Sequence, residues 1–96
     1  MELEQLVALL KAIAVPQRLK ILSALSQGNL VVAMIAERTK MSQPLASYHL
    51  RILHDFGFVG YATVDSCHYY FLCHDQVRSV AEELSKLLCG EKEQNQ

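Results

Sequence analysis

Ser42-Gln43-Pro44-Leu45-Ala46-Ser47-Tyr48-His49-Leu50-Arg51-Ile52-Leu53 is the stretch whose reading decides the fold. It opens with a serine whose hydroxyl can accept one of the unpaired N–H groups at a helix start. Pro44 follows in the first turn, where a missing N–H costs little. Ala46, Leu50 and Leu53 recur at i, i+4 and i+7 and would face a core. Gln43, Ser47 and Arg51 recur at i, i+4 and i+8 on another face. That face carries an amide, a hydroxyl and a guanidinium, the groups that suit base edges and phosphates. A second helical segment, Val32 to Thr39, precedes it, and only Lys40 and Met41 lie between the two. Helix, tight turn and polar-faced helix form the pattern of a DNA-reading helix-turn-helix.

The rest of the chain reads outward from this pair. Leu3, Leu6, Val7, Leu10 and Ile13 trace an apolar helical stripe, widened by Leu9. Pro16 ends that helix and can start the next, which runs through Leu19, Ile21, Leu22 and Leu25 to a stop at Gln27-Gly28. Asn29-Leu30-Val31 reads as a short extended piece, and Gly57 closes the second helix of the pair. Phe58–Val64 and Cys67–Cys73 are rich in β-branched and aromatic residues. Asp65-Ser66 between them is a two-residue turn, so a β-hairpin is expected. Asp75 can cap a last helix with Val77, Val80, Ala81, Leu84, Leu87 and Leu88 on its apolar side, and Gly90 stops it. The expected fold is mainly α with one β-hairpin (α+β), in the order α-α-β-α-α-β-β-α. Residues 1–90 form a single domain and residues 91–96 a polar tail. The end helices carry more apolar surface than a small monomer needs, which predicts a symmetric dimer built on them.

Bulk properties narrow the function. The 96 residues are 51% hydrophobic and 20% charged, which is globular rather than disordered. The net charge is −1, so composition alone does not point to nucleic acid. Charge is unevenly placed, however. Lys40, His49, Arg51 and His54 lie in or beside the polar-faced helix, while acids concentrate at the two ends. No run reaches the length of a membrane span, and the opening Glu2 and Glu4 are unlike a signal peptide. Three cysteines at irregular spacing fit reduced thiols in a cytoplasmic protein better than a disulfide scaffold. There is no Gly-rich phosphate loop, nucleophile motif or paired-acid constellation, so no catalytic residue is expected.

Two stretches resemble a known family. Leu10-Lys11-Ala12-Ile13-Ala14-Val15-Pro16-Gln17-Arg18-Leu19-Lys20-Ile21-Leu22 looks like the opening signature of the arsenic-repressor (ArsR/SmtB) winged helix-turn-helix regulators, and Ser42–Leu53 matches their reading helix. The Tyr69-Tyr70-Phe71-Leu72 strand is similar too, so the resemblance covers about residues 6 to 88. It implies a dimeric transcriptional repressor. The helix at Ser42–His54 would enter the major groove, the hairpin at Phe58–Cys73 would be the wing, and Glu2–Ala14 with Asp75–Leu88 would form the dimer interface. Many members release DNA on binding a metal or on cysteine modification.

The chain departs from that family twice. Metal-binding members carry Cys-Val-Cys-Asp where this chain reads Val31-Val32-Ala33-Met34, so no thiolate is available there for a soft metal. The last helix holds Asp75, Glu82 and Glu83 but no interior His, against a zinc site of the other family type. The second departure is a wing without any Lys or Arg between Phe58 and Cys73.

The expected partner is double-stranded operator DNA, read as an inverted repeat, together with a second copy of the chain; no cofactor and no membrane are expected. The candidate DNA contacts are Lys40, Ser42, Gln43, Ser47, Tyr48, His49 and Arg51. Tyr48 can stack, bond a phosphate or pack under the wing. Cys67, Cys73 and Cys89 are candidates for a redox switch. Cys67 and Cys73 would sit ~20 Å apart along one strand, too far to bridge. Cys73 and Cys89 would sit ~20 Å apart across the last helix, so a pair across the dimer is what remains open. The histidines match no ligand template with these thiols. The alternative function is a winged-helix module that contacts a protein and not DNA, favoured by the net charge and the uncharged wing.

Overall fold

Periodicity sets the elements, and turn chemistry sets their ends. The computed structural model describes residues 1–90. The order is α1 (Leu3–Ile13), α2 (Pro16–Leu25), α3 (Val32–Thr39), α4 (Gln43–Asp55), β1 (Val59–Val64), β2 (Cys67–Leu72) and α5 (His74–Cys89). This is the expected five-helix, one-hairpin arrangement. The expected polar tail, residues 91–96, lies outside the described residues.

Both ends of the α3–α4 pair are closed by the same device. After α3, Lys40 takes a left-handed conformation (φ 58°). The Lys40 N–H donates to the Glu37 carbonyl at 3.3 Å, and the Met41 N–H donates to the Ala36 carbonyl at 3.0 Å. After α4, Gly57 takes φ +82°, its N–H donates to His54, and the Phe58 N–H reaches back to Leu53 at 2.9 Å. These are paired Schellman bonds, which satisfy the last carbonyls of a helix. The second one also seats Phe58, which is fully buried, against the core.

Phe58 explains a shift in the hairpin. The expected strands began at Phe58 and ended at Cys73; the observed ones run Val59–Val64 and Cys67–Leu72. The Phe58 N–H caps α4, so only its carbonyl is left for the ladder, where it accepts from Cys73 at 2.9 Å. The strands pair antiparallel from Val59↔Leu72 to Val64↔Cys67. Asp65 and Ser66, both at positive φ, make the turn, as a two-residue hairpin of type I′ requires.

Two expectations change. The extended piece at Asn29–Val31 contracts to a single bridge, Leu30 with Tyr70, bonded both ways at 3.1 and 2.8 Å. One residue suffices to dock the α2–α3 connection on the wing, because Val32 already begins α3. Asp75 does not cap α5. The cap position is Cys73, with no side-chain bond, and Asp75 sits inside the first turn, where it takes Arg78 at 2.9 Å. Its carboxylate still favours the positive end of the helix from there.

The core is one cluster. Leu6, Leu9 and Ala12 of α1 join Ile21, Leu22 and Leu25 of α2, Ile35 and Ala36 of α3, and Ala46, Leu50 and Leu53 of α4, closed by Phe58, Val59 and Val80. α5 gives this core only one buried residue, Val80. Its remaining apolar side chains stay outside, against α1 or in the open.

Candidate nucleic-acid interface

Ser42 fixes the start of α4: its Oγ accepts from the Leu45 N–H at 3.2 Å. From this start the helix divides as its sequence demands. Ala46, Leu50 and Leu53 are at most 1% exposed, while Gln43, Ser47 and Arg51 are all exposed. At 1.5 Å per residue those three side chains span ~12 Å of helix axis. The first turn carries no acid, so the positive end of the helix is left uncompensated for an approaching polyanion.

His49, expected among the DNA contacts, sits elsewhere. It is buried, and its Nδ1 accepts a hydrogen bond from Arg18 Nε at 3.1 Å. The same guanidinium donates through Nη1 to the Ala12 carbonyl at 3.1 Å. Arg18 thus ties the end of α1 and the body of α2 to the inner side of α4. Burial, and after it the Arg18 charge, pushes His49 below the usual imidazole range. It is therefore held neutral, with its proton on Nε2, and it positions the helix from behind the exposed face. Position 49 completes an i, i+3, i+4, i+7 stripe with Ala46, Leu50 and Leu53, a signal the sequence carried and a polar residue type masked. Its partner Arg18 is the residue that spacing could not supply.

Tyr48 is half-exposed, and its ring meets His49 edge-on at 5.2 Å. Its aromatic neighbour is thus within α4 and not in the wing.

The wing is joined to α4 by a row of rings. His54, near the end of α4, lies 5.5 Å from Tyr61 on β1; Tyr61 lies 4.3 Å from His68 and 5.5 Å from Tyr70 on β2. His68 Nδ1 and Thr63 Oγ1 share a hydrogen bond at 2.9 Å. The row adds aromatic contact between helix and hairpin to the backbone bonds made through Phe58.

The comparisons with known proteins bear on this geometry. Residues 15–61, which hold α2, α3, α4 and the start of β1, match the family model described as "Bacterial regulatory protein, arsR family". The transcriptional activator HlyU of Vibrio cholerae is 35% identical over 83 residues, covering 86% of this chain and 77% of that protein. The chain belongs to the ArsR family. A transcriptional repressor SmtB homolog of Synechocystis is 33% identical over 82 residues, covering 85% of this chain; the chain spans 62% of that relative's length. Among solved structures, the homodimeric winged helix-turn-helix DNA-binding domain of Mb0332 from Mycobacterium bovis superposes with a TM-score of 0.74 at 32% identity. That match covers 98% of this chain and 86% of the other.

Within this ArsR-family chain the ligand-bearing side chains are scattered. Among the described residues no three or more of His, Cys, Asp and Glu are grouped to hold a metal. No described helix is long and apolar enough to cross a membrane. The three thiols are unpaired. Cys67 begins β2 and is exposed, Cys89 ends α5 and is exposed, and Cys73 is half-buried. Burial, then the nearby Asp75 carboxylate, raises the Cys73 thiol above its ordinary range, which lowers its thiolate fraction and its reactivity.

Proposed function

We propose that this chain is a homodimeric, sequence-specific transcriptional repressor that reads an inverted-repeat operator with α4. The observation that carries the reading is the exposed row Gln43, Ser47 and Arg51 on a helix whose start is capped and whose opposite side is locked into the core. Such a row projects from a rigid element, as base readout requires. Lys40, Ser42 and Tyr48 flank it and take phosphates. The homodimeric state of the Mycobacterium bovis domain supports a two-fold arrangement. Repression is the simplest output, because a dimer seated on its site excludes other proteins without any further contact. Such a protein works in the cytoplasm, where bacterial DNA is. Any thiol response runs through Cys67 or Cys89, which are exposed, before Cys73.

The test is anisotropy on labelled duplexes, one selected by the protein from a random pool and one of random sequence. Gln43→Ala and Ser47→Ala should each cost about 1–3 kcal/mol on the selected duplex and change little on the random one. Equal loss on both would show that these residues do not read sequence. A wild-type protein that binds neither duplex would leave the protein-interaction module as the reading, which the Lys- and Arg-free wing favours.

A further inference from the structure

Beside the α3–α4 turn lies an open groove of about 540 Å³, walled by α2 on one side and by the end of α3 with its turn on the other. Lys20 and Ser23 come from α2 and Gln27 from the turn that follows it, and Arg38 and Lys40 from the other wall. No carboxylate lines it; the nearest acid in sequence, Glu37, lies outside the lining.

The placement of charge around the molecule makes this groove distinctive. The described Lys and Arg residues are Lys11, Arg18, Lys20, Arg38, Lys40, Arg51, Arg78 and Lys86. Arg18 is spent internally on His49 and Ala12. Arg78 and Lys86 lie within salt-bridge distance of Asp75 and Glu83 on α5. Of the cations left without such a partner among the described residues, Arg51 belongs to the reading face and Lys11 to α1; the other three line the groove. The wing, from Val59 to Leu72, has none.

Lys40 adds a separate observation. It occupies the left-handed position of the turn at φ 58°, a place where Gly sits freely and another residue is strained. Here it sets a cation on a turn whose backbone is fixed by two hydrogen bonds, two residues ahead of the α4 cap.

We propose that this groove is a phosphate clamp for double-stranded DNA, in which Lys20, Arg38 and Lys40 hold the backbone beside the major groove that α4 enters. Ser23 and Gln27 donate hydrogen bonds to the same strand. The clamp supplies the sequence-independent anchorage that the uncharged wing lacks. It rests on the DNA reading above and extends it to α2, which that reading leaves out.

The experiment is the slope of log K against log salt concentration for the full chain on the random and the selected duplex. Lys20→Gln and Arg38→Gln are compared with Lys20→Arg and Arg38→Lys, and thermal melts check that every variant is folded. Each phosphate contact contributes about 0.9 to the slope. In a two-fold dimer, each Gln substitution should therefore lower the slope by about 1.8 and weaken both duplexes alike. The charge-keeping variants should retain the wild-type slope. An unchanged slope in the Gln variants, with the wild-type preference for the selected duplex intact, would overturn the clamp and leave the reading helix standing. Weakening confined to the selected duplex would overturn it too, since it would make these residues base readers. Wild-type protein that binds no duplex would overturn both proposals together.

Discussion

His49 is the residue at which chemistry and position diverge most. A neutral imidazole accepting from Arg18 is well placed; a protonated one would face a guanidinium inside the fold. Its folded value lies below its unfolded one, about 6.5. Above pH ~6.5 both states are neutral and the full stability is present. As pH falls below that, the unfolded chain takes the proton first, and stability drains until the folded value is passed. Wild type should therefore lose more thermal stability between pH 7.5 and pH 5 than His49→Gln, which keeps an acceptor for Arg18. Parallel melting curves across that range would show that His49 is not held neutral. A second residue-scale outcome concerns Gly60, over which the Phe71 ring lies. A Cβ at position 60 would stand 2.5 Å from Phe71 Cζ. Gly60→Ala should cost about 1–3 kcal/mol as an overpacked contact, and Phe71→Leu in the same chain should recover part of it in denaturant unfolding. Neither relation was legible in the sequence. Arg18 and His49 are 31 residues apart, and the need for glycine at position 60 exists only once the register sets Phe71 opposite it.

Elements were far more legible than pair contacts, because each announces itself through short-range physics. The polar row of α4 follows from the period of its apolar residues, and the α3–α4 turn from the two residues left between two helical patterns. The hairpin follows from Asp65-Ser66 between aromatic and β-branched runs. What failed was local competition for backbone groups. Phe58 was read as strand and serves the helix, and Asp75 was read as a cap and sits two residues past it, inside the first turn. The same turn geometry yields a prediction for the wing. Ser66 holds φ 68°, which a glycine tolerates and a β-branched residue does not. Ser66→Gly should leave the melting temperature unchanged or raise it, and Ser66→Val should lower it by several degrees, at roughly 4–8 °C per kcal/mol for a chain of this size. A Val variant as stable as wild type would mean that the turn is not of the two-residue, positive-φ kind.

At the scale of the molecule the unsolved problem of the single chain is α5. It is an amphipathic helix of 16 residues that buries one of them. Its outer apolar residues continue onto α1: Leu3 is 58% exposed, Leu87 55% and Leu88 72%. Below them an apolar hollow of about 420 Å³ opens between α1, α2 and α5, lined by Leu10, Ile13, Leu19, Val77 and Leu84. Contiguous apolar surface of this kind is what a partner covers, and a second copy would supply the same two helices in return. The structure also decides where this can be tested. Leu6 is 4% exposed within its own protomer, so a charge there would unfold the chain and say nothing about assembly. Leu3 and Leu88 touch little inside the protomer. Replacing them should cost the isolated fold no more than about 0.5 kcal/mol, whereas each leucine buried between copies is worth roughly 1.5–3 kcal/mol. Leu3→Glu with Leu88→Glu should therefore sediment as a monomer at micromolar concentration, with wild-type helix content, beside a wild-type dimer. Because two tethered half-site contacts bind far more tightly than one, the variant should also lose most of its affinity for an inverted repeat while binding a single half-site as wild type does. A variant that remains dimeric, or a wild-type chain that is monomeric under the same conditions, would remove α1 and α5 as the interface and leave their apolar surface to another partner.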